Sequence, residues 1–137
     1  ACRRAGRPPR TRRKARAGAC GLLLAALLLG SCAAPADQVF RDAYQDDMTA
    51  AQIGDRLRQR LLERFPPGRA DLYEAVRYLS QAGARCRAAD DGAQRCTYTL
   101  LTPAGASGPL AGQEFVHFDV DLAAQGEKLR DIQVLAN

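Results

Sequence analysis

Ala84-Arg85-Cys86-Arg87-Ala88-Ala89-Asp90-Asp91-Gly92-Ala93-Gln94-Arg95-Cys96-Thr97-Tyr98-Thr99-Leu100 is the stretch on which the fold turns. At Gly83 the apolar period changes from that of a helix to that of a strand. Asp90-Asp91-Gly92 supplies turn residues between two alternating runs. A three-residue loop there places residues whose numbers sum to 182 opposite each other, and Cys86 and Cys96 are such a pair. Gly92 then falls at the third loop position, where a left-handed backbone is wanted. Directly opposed residues lie about 4.5–5.5 Å apart at Cα, within disulfide reach. Turn chemistry and cysteine spacing therefore select one register, and a bond closing so short a loop is worth about 2–3 kcal/mol. Two free thiols or a metal pair are the alternatives. The second fits poorly, because the sole histidine is His117 and the spacing matches no zinc pattern.

Two helices precede the hairpin. Thr49 is a natural N-cap, with Gln52 three residues on to complete a capping box and Met48 and Ile53 placed as a hydrophobic staple. Ile53, Leu57, Leu61 and Phe65 recur every four residues as one apolar stripe. Pro66-Pro67-Gly68 ends that helix. The second runs from about Ala70 to Ala82, with Leu72, Val76 and Leu79 inward and Gly83 as its C′ residue. So short a connection predicts two helices side by side.

Beyond the hairpin, residues 102–112 form a loop rich in Gly, Ala and Pro, read as a loose connection. A strand from Glu114 to Leu122 faces Val116, Phe118, Val120 and Leu122 inward and His117, Asp119 and Asp121 outward. After a turn at Gln125-Gly126, a last strand from Leu129 to Leu135 offers Ile132 and Val134 to the core. Helices followed by strands predict an α+β domain, ααββββ, with both helices on one face of a four-stranded antiparallel meander. The other face carries Thr97, Thr99, His117 and Asp119 toward water.

The chain has 137 residues and a formal charge of +5, but that total misleads. Eight of its 20 basic residues lie before position 17, and all 15 acidic residues lie after Cys32. The part after Cys32 is thus mildly acidic, which argues against a nucleic-acid partner. It amounts to one domain, large enough to bury most of its unfolded surface.

The basic start is followed by an apolar block, Ala19 to Leu29, and then Leu29-Gly30-Ser31-Cys32. Basic region, apolar region and small residues make a secretory signal. The block is too short for a bilayer-spanning helix, which needs about 20 residues. The four residues ending at Cys32 resemble a bacterial lipobox. That resemblance implies cleavage before Cys32, acylation there, and attachment to the membrane through lipid, with residues 1–31 removed as the signal. Ala33, rather than Asp, after the cysteine implies sorting to the periplasmic face of the outer membrane. An oxidising compartment also suits a Cys86–Cys96 disulfide. Residues 32–47 read as the lipidated cysteine and a tether, which as free coil reaches on the order of 20 Å. Within it Val39, Phe40, Ala43 and Tyr44 have a spacing that allows a short docked helix. The domain proper is then 48–137.

Asp47-Met48-Thr49-Ala50-Ala51-Gln52-Ile53, with the lipobox and the order of parts, resembles the SmpA/OmlA family of small outer-membrane lipoproteins. The resemblance implies a role in assembling β-barrel proteins of the outer membrane. The family's Leu-Gly-x-Pro turn after the first helix is absent, with Phe65-Pro66-Pro67-Gly68 standing later, and no residue role transfers beyond Cys32. The reading is a non-enzymatic, lipid-anchored envelope protein that binds a protein partner, without cofactor or metal. An inhibitor or small-ligand-binding lipoprotein using loop 102–112 is the alternative. An enzyme would have to rest on His117, Asp119 and Asp121 along one strand face, without the cleft and third partner that acid–base work needs.

Overall fold

The computed structural model describes residues 34–137, and Cys32 lies outside them. In chain order the elements are α1 (Gln38–Ala43), α2 (Ala50–Arg64), α3 (Leu72–Gln81), β1 (Arg85–Ala88), β2 (Gln94–Leu101), β3 (Phe115–Gln125) and β4 (Lys128–Ala136). The strands form one antiparallel sheet in the order β1-β2-β3-β4. This is the expected α+β class, with one helix more than expected.

The hairpin adopts the expected register. Cys86 pairs with Cys96, their Cα atoms 3.9 Å apart, and the two sulfurs are bonded. Asp91 and Gly92 both take left-handed backbone at the turn, with φ of 57° and 74°. Aspartate tolerates that region better than most residues and glycine enters it freely. From here the alternation carries across the sheet. Cys96 and Leu100 on β2, and Val116, Phe118, Val120 and Leu122 on β3, are all buried on one face.

The helices cover that face. The N-terminus of α2 is closed by the reciprocal capping box: Thr49 N–H donates to Gln52 Oε1 at 2.8 Å, and Gln52 N–H to Thr49 Oγ1 at 3.3 Å. Its stripe of Ile53, Leu57, Leu61 and Phe65 is buried, as the four-residue spacing requires. At the end of α3 the Gly83 N–H donates to the Ser80 carbonyl and Ala84 N–H to Leu79, which closes the last turn in a Schellman motif. Asp71, the N-cap residue of α3, accepts from Lys128 and ties the helix to the β3–β4 turn.

Two expectations need correcting. The helices α2 and α3 do not run side by side: α2 lies along β4, while α3 sits behind β1 and β2. They approach where α2 ends, with the Phe65 and Tyr78 rings 5.3 Å apart edge to face. The second correction concerns the tether. Residues 38–43 are a helix of the domain, and Phe40 and Ala43 are wholly buried. Phe40 stacks on Tyr98 at 4.0 Å between centroids and lies 5.3 Å from Phe118. The fold therefore begins ahead of position 48, because aromatic burial outweighs the polar neighbours of Phe40.

The edge strand β4 carries a bulge. Its register against β3 shifts between Ala123 and Ala124, so Leu129 and Ile132 both face the core although they differ by three in number. Its free edge is sealed by α2: the Arg58 Nε–H donates to the Ile132 carbonyl at 2.7 Å, and a Cβ at Gly54 would stand 3.2 Å from the Ala136 nitrogen.

If α1 belongs to the core, Phe40→Ala will lower unfolding free energy by about 3–5 kcal/mol, the usual cost of a large-to-small change at a buried aromatic. Urea unfolding checks this, and a mere tether residue would leave the midpoint unchanged. Gly54→Val will cost about 1–3 kcal/mol by overpacking against β4, read in the same experiment.

Candidate functional site

Among the described residues, α1, α2 and α3 cover the face that buries Cys96, Leu100, Val116, Phe118, Val120 and Leu122, so the other face is open. Its rows follow from the pairing: Arg87, Arg95, Asp121 and Gln133; Arg85, Thr97, Asp119 and Leu135; Thr99 and His117; and Leu101 and Phe115. This outer face is divided by chemistry. At the hairpin end stand three arginines. At the other end Leu101 and Phe115 oppose each other, 67% and 42% exposed, while the exposed Leu135 lies apart from them in the row of Asp119. Scattered apolar residues are ordinary on a surface, but a cluster beside polar rows marks a contact surface.

The residues singled out from sequence fall as follows. Cys86 and Cys96 form the hairpin disulfide. His117, Asp119 and Asp121 share the outer face, and two of them have side-chain partners. His117 Nδ1 lies 2.9 Å from Thr99 Oγ1, across the strands. Asp121 accepts two hydrogen bonds from Arg95, at 2.6 and 3.1 Å, in a side-on fork. His117 and Asp121 stand four residues apart on one strand, about 13 Å at the usual rise. The three side chains are spread along a strand rather than gathered on one reacting atom. Among the described residues no three His, Cys, Asp or Glu side chains form a metal-holding group, and no helix is long and apolar enough to cross a membrane.

Loop 102–112 is seated, which corrects the reading of a loose connection. Leu110 is buried in the core. A Cβ on Gly108 would stand 2.3 Å from the Asp46 carbonyl oxygen, so only glycine lets the loop lie against the segment between α1 and α2. The Thr102 N–H donates to the Glu114 carbonyl and closes the loop's base.

One cluster of perturbed groups sits at the inner face, and sequence reading missed it. Tyr98 Oη–H donates to Asp37 at 2.5 Å, and Arg41 Nε–H donates to the same carboxylate at 2.8 Å. The hydrogen bond from Arg41 leads in holding Asp37 below the usual carboxylate range, with Tyr98 adding to it against the opposing effect of burial. Burial, then the bond to Asp37, pushes the Tyr98 phenol up to about 12. Perturbed groups often mark function, but here the phenol is stacked under Phe40 and the trio locks α1 to the sheet. The signal in the sequence was the i, i+4 spacing of Asp37 and Arg41 across α1.

No family model, no curated protein and no solved structure matches this chain.

The lock has a pH signature. A raised phenol contributes stability that is whole below about pH 10, where tyrosines of the unfolded chain are protonated. It is lost as pH climbs through about 12. The depressed Asp37 contributes above the ordinary carboxylate range and is lost as pH falls through its lowered value. In an absorbance titration of tyrosinate, the last ionisation will come near pH 12. Asp37→Asn will move that last step toward lower pH. An unmoved last step would show that the carboxylate does not act on Tyr98.

Proposed function

We propose that this chain is a non-enzymatic lipoprotein of the cell envelope. It is anchored through acyl groups on Cys32, faces the periplasm from the outer membrane, and presents the open face of its sheet to a protein partner. The observation that carries the reading is the division of the molecule into a fully occupied inner face and a bare outer one. An outer face whose only task was solvation would not need Leu101 and Phe115 paired in the open. The basic and apolar start and the cysteine of Leu29-Gly30-Ser31-Cys32 support export and lipid attachment. Stable residence needs more than one acyl chain, and a lipoprotein cysteine with three would meet that need.

The docking of α1 shortens the leash that this reading allows. Only five peptide steps separate Cys32 from Asp37, which the Tyr98 bond holds to the sheet. Fully extended, they span at most about 17 Å. An acylated Cys32 would therefore keep the domain close to the bilayer surface, where a membrane-bound partner is more accessible than a free one. The alternative, an inhibitor inserting loop 102–112, has less support, since Leu110 and Gly108 are held by the domain's own packing.

Two measurements in cells test the proposal separately. Labelled palmitate will mark the protein, and Cys32→Ser will abolish both the label and membrane residence. A photo-crosslinking residue placed at Phe115 will capture a discrete envelope protein, and one placed at exposed Tyr73, near the start of α3, will not. An unlabelled protein would refute the anchor, and identical patterns from both positions would refute the outer face as the contact surface.

A further inference from the structure

The basic end of the outer face is concave. Arg85, Arg87, Ala88, Ala89, Asp90, Arg95 and Thr97 line a shallow cleft of about 540 Å³ beside the hairpin turn. Cys86 faces inward with Cys96, so Arg85 and Arg87 flank it on the outer side, two residues apart and about 7 Å between Cα atoms. Arg87 stands directly opposite Arg95. Like charges in direct cross-strand opposition are destabilising. Only Arg95 is compensated, by the forked pair with Asp121. Neither Arg85 nor Arg87 makes an ion pair among the described residues. The acidic residues at this end are Asp121, already engaged with Arg95, Asp119 beside Thr97, and Asp90 and Asp91 on the turn. A sequence that sets an uncompensated charge against a like charge, inside a cleft, departs from local stability rules where functional sites do.

We propose that this cleft binds a phosphate group, with the guanidinium groups of Arg85 and Arg87 as its two clamps. Arg95 contributes field from a position fixed by Asp121, and the exposed Thr97 is a hydroxyl donor on the same lining. A phosphate fits better than a carboxylate. One guanidinium fork satisfies a carboxylate, as Arg95 does for Asp121, whereas two uncommitted forks side by side suit a doubly charged group with oxygens in several directions. The group comes either free in solution or on the headgroup of a phosphomonoester lipid. The inference depends on neither acylation of Cys32 nor a protein partner, so it stands or falls apart from the proposed function.

The test compares the full chain with its Arg85→Gln/Arg87→Gln variant. Both side chains are exposed, and removing the Arg87–Arg95 opposition will leave the variant at least as thermally stable as the parent in chloride buffer. In the first arm, inorganic phosphate replaces chloride at constant ionic strength. Phosphate will raise the parent's Tm, as a ligand of the folded state must, and leave the variant's unmoved. Each single Arg→Gln change will weaken binding about tenfold or more, the scale of a charged hydrogen bond. In the second arm, sedimentation with phosphatidylcholine vesicles is compared with and without phosphatidic acid. A phosphatidic-acid-dependent increase in bound parent, lost in the variant, identifies the headgroup as a source; a response confined to the first arm identifies free phosphate. No response of the parent in either arm, or equal responses of parent and variant, overturns the proposal.

Discussion

The covalent bond between Cys86 and Cys96 holds the first hairpin in one register, and the side-chain period of a strand is two. A slip of one residue would turn Cys96, Tyr98 and Leu100 outward and drive Arg95, Thr97 and Thr99 into the core. Because β3 pairs along the whole of β2, the same slip would break the match of Cys96 with Val120 and Leu100 with Val116. It would also take Tyr98 away from Phe40 and Asp37, and with it the seat of α1. The inner core, the lock on α1 and the composition of the outer face thus all descend from one pair of opposed sulfurs.

The two edges of the sheet are protected by different means. On β4, α2 lies so close that Gly54 leaves no room for a side chain, and Arg58 takes up the Ile132 carbonyl. On β1 the strand has only four residues and carries Arg85 and Arg87, and short length and charge both discourage pairing with another chain. Charge on an edge deters a neighbouring strand but attracts an anion, and the concavity beside the turn gives that attraction a place to act. One device can therefore serve both ends without conflict.

Much of this was legible from residue types. The capping box at Thr49 and Gln52, the four-residue stripe of α2, the register about Asp90-Asp91-Gly92 and the alternation of β3 are local patterns, and the structure follows them. What was not legible depends on tertiary contact. The spacing of Val39, Phe40, Ala43 and Tyr44 allowed a short docked helix, but Phe40 lies among Asp37, Gln38, Arg41 and Asp42, and only the Tyr98 ring far along the chain explains its complete burial. Leu129 breaks the alternation set by Ile132 and Val134, and only the bulge reconciles them. The seat of loop 102–112 depends on the burial of Leu110 and the close approach of Gly108 to the Asp46 carbonyl, which composition cannot signal. The outer polar stripe was read as Thr97, Thr99, His117 and Asp119, and the arginines of β1 and β2 were missed as a group. Their juxtaposition follows from the sum rule that placed Cys86 against Cys96, since 87 and 95 obey it equally.

The spread of α2 and α3 explains why a segment with a tether's composition became structure. With α2 along β4 and α3 behind β1 and β2, the rings of Tyr98 and Phe118 need cover that neither of those helices supplies alone. A six-residue helix is marginal by itself, so α1 must draw its stability from the burial of Phe40 and Ala43 and from the Asp37–Tyr98 bond. Arg60 of α2 adds a surface pair with Asp42 at 3.6 Å, worth little alone but aligned with the same docking. The segment that completes the core is also the one that leads back toward Cys32, so under the lipid-anchor reading the seating of α1 fixes where the leash begins. A longer leash would have to come from residues 33–36, because every residue from Asp37 onward is already committed to the fold.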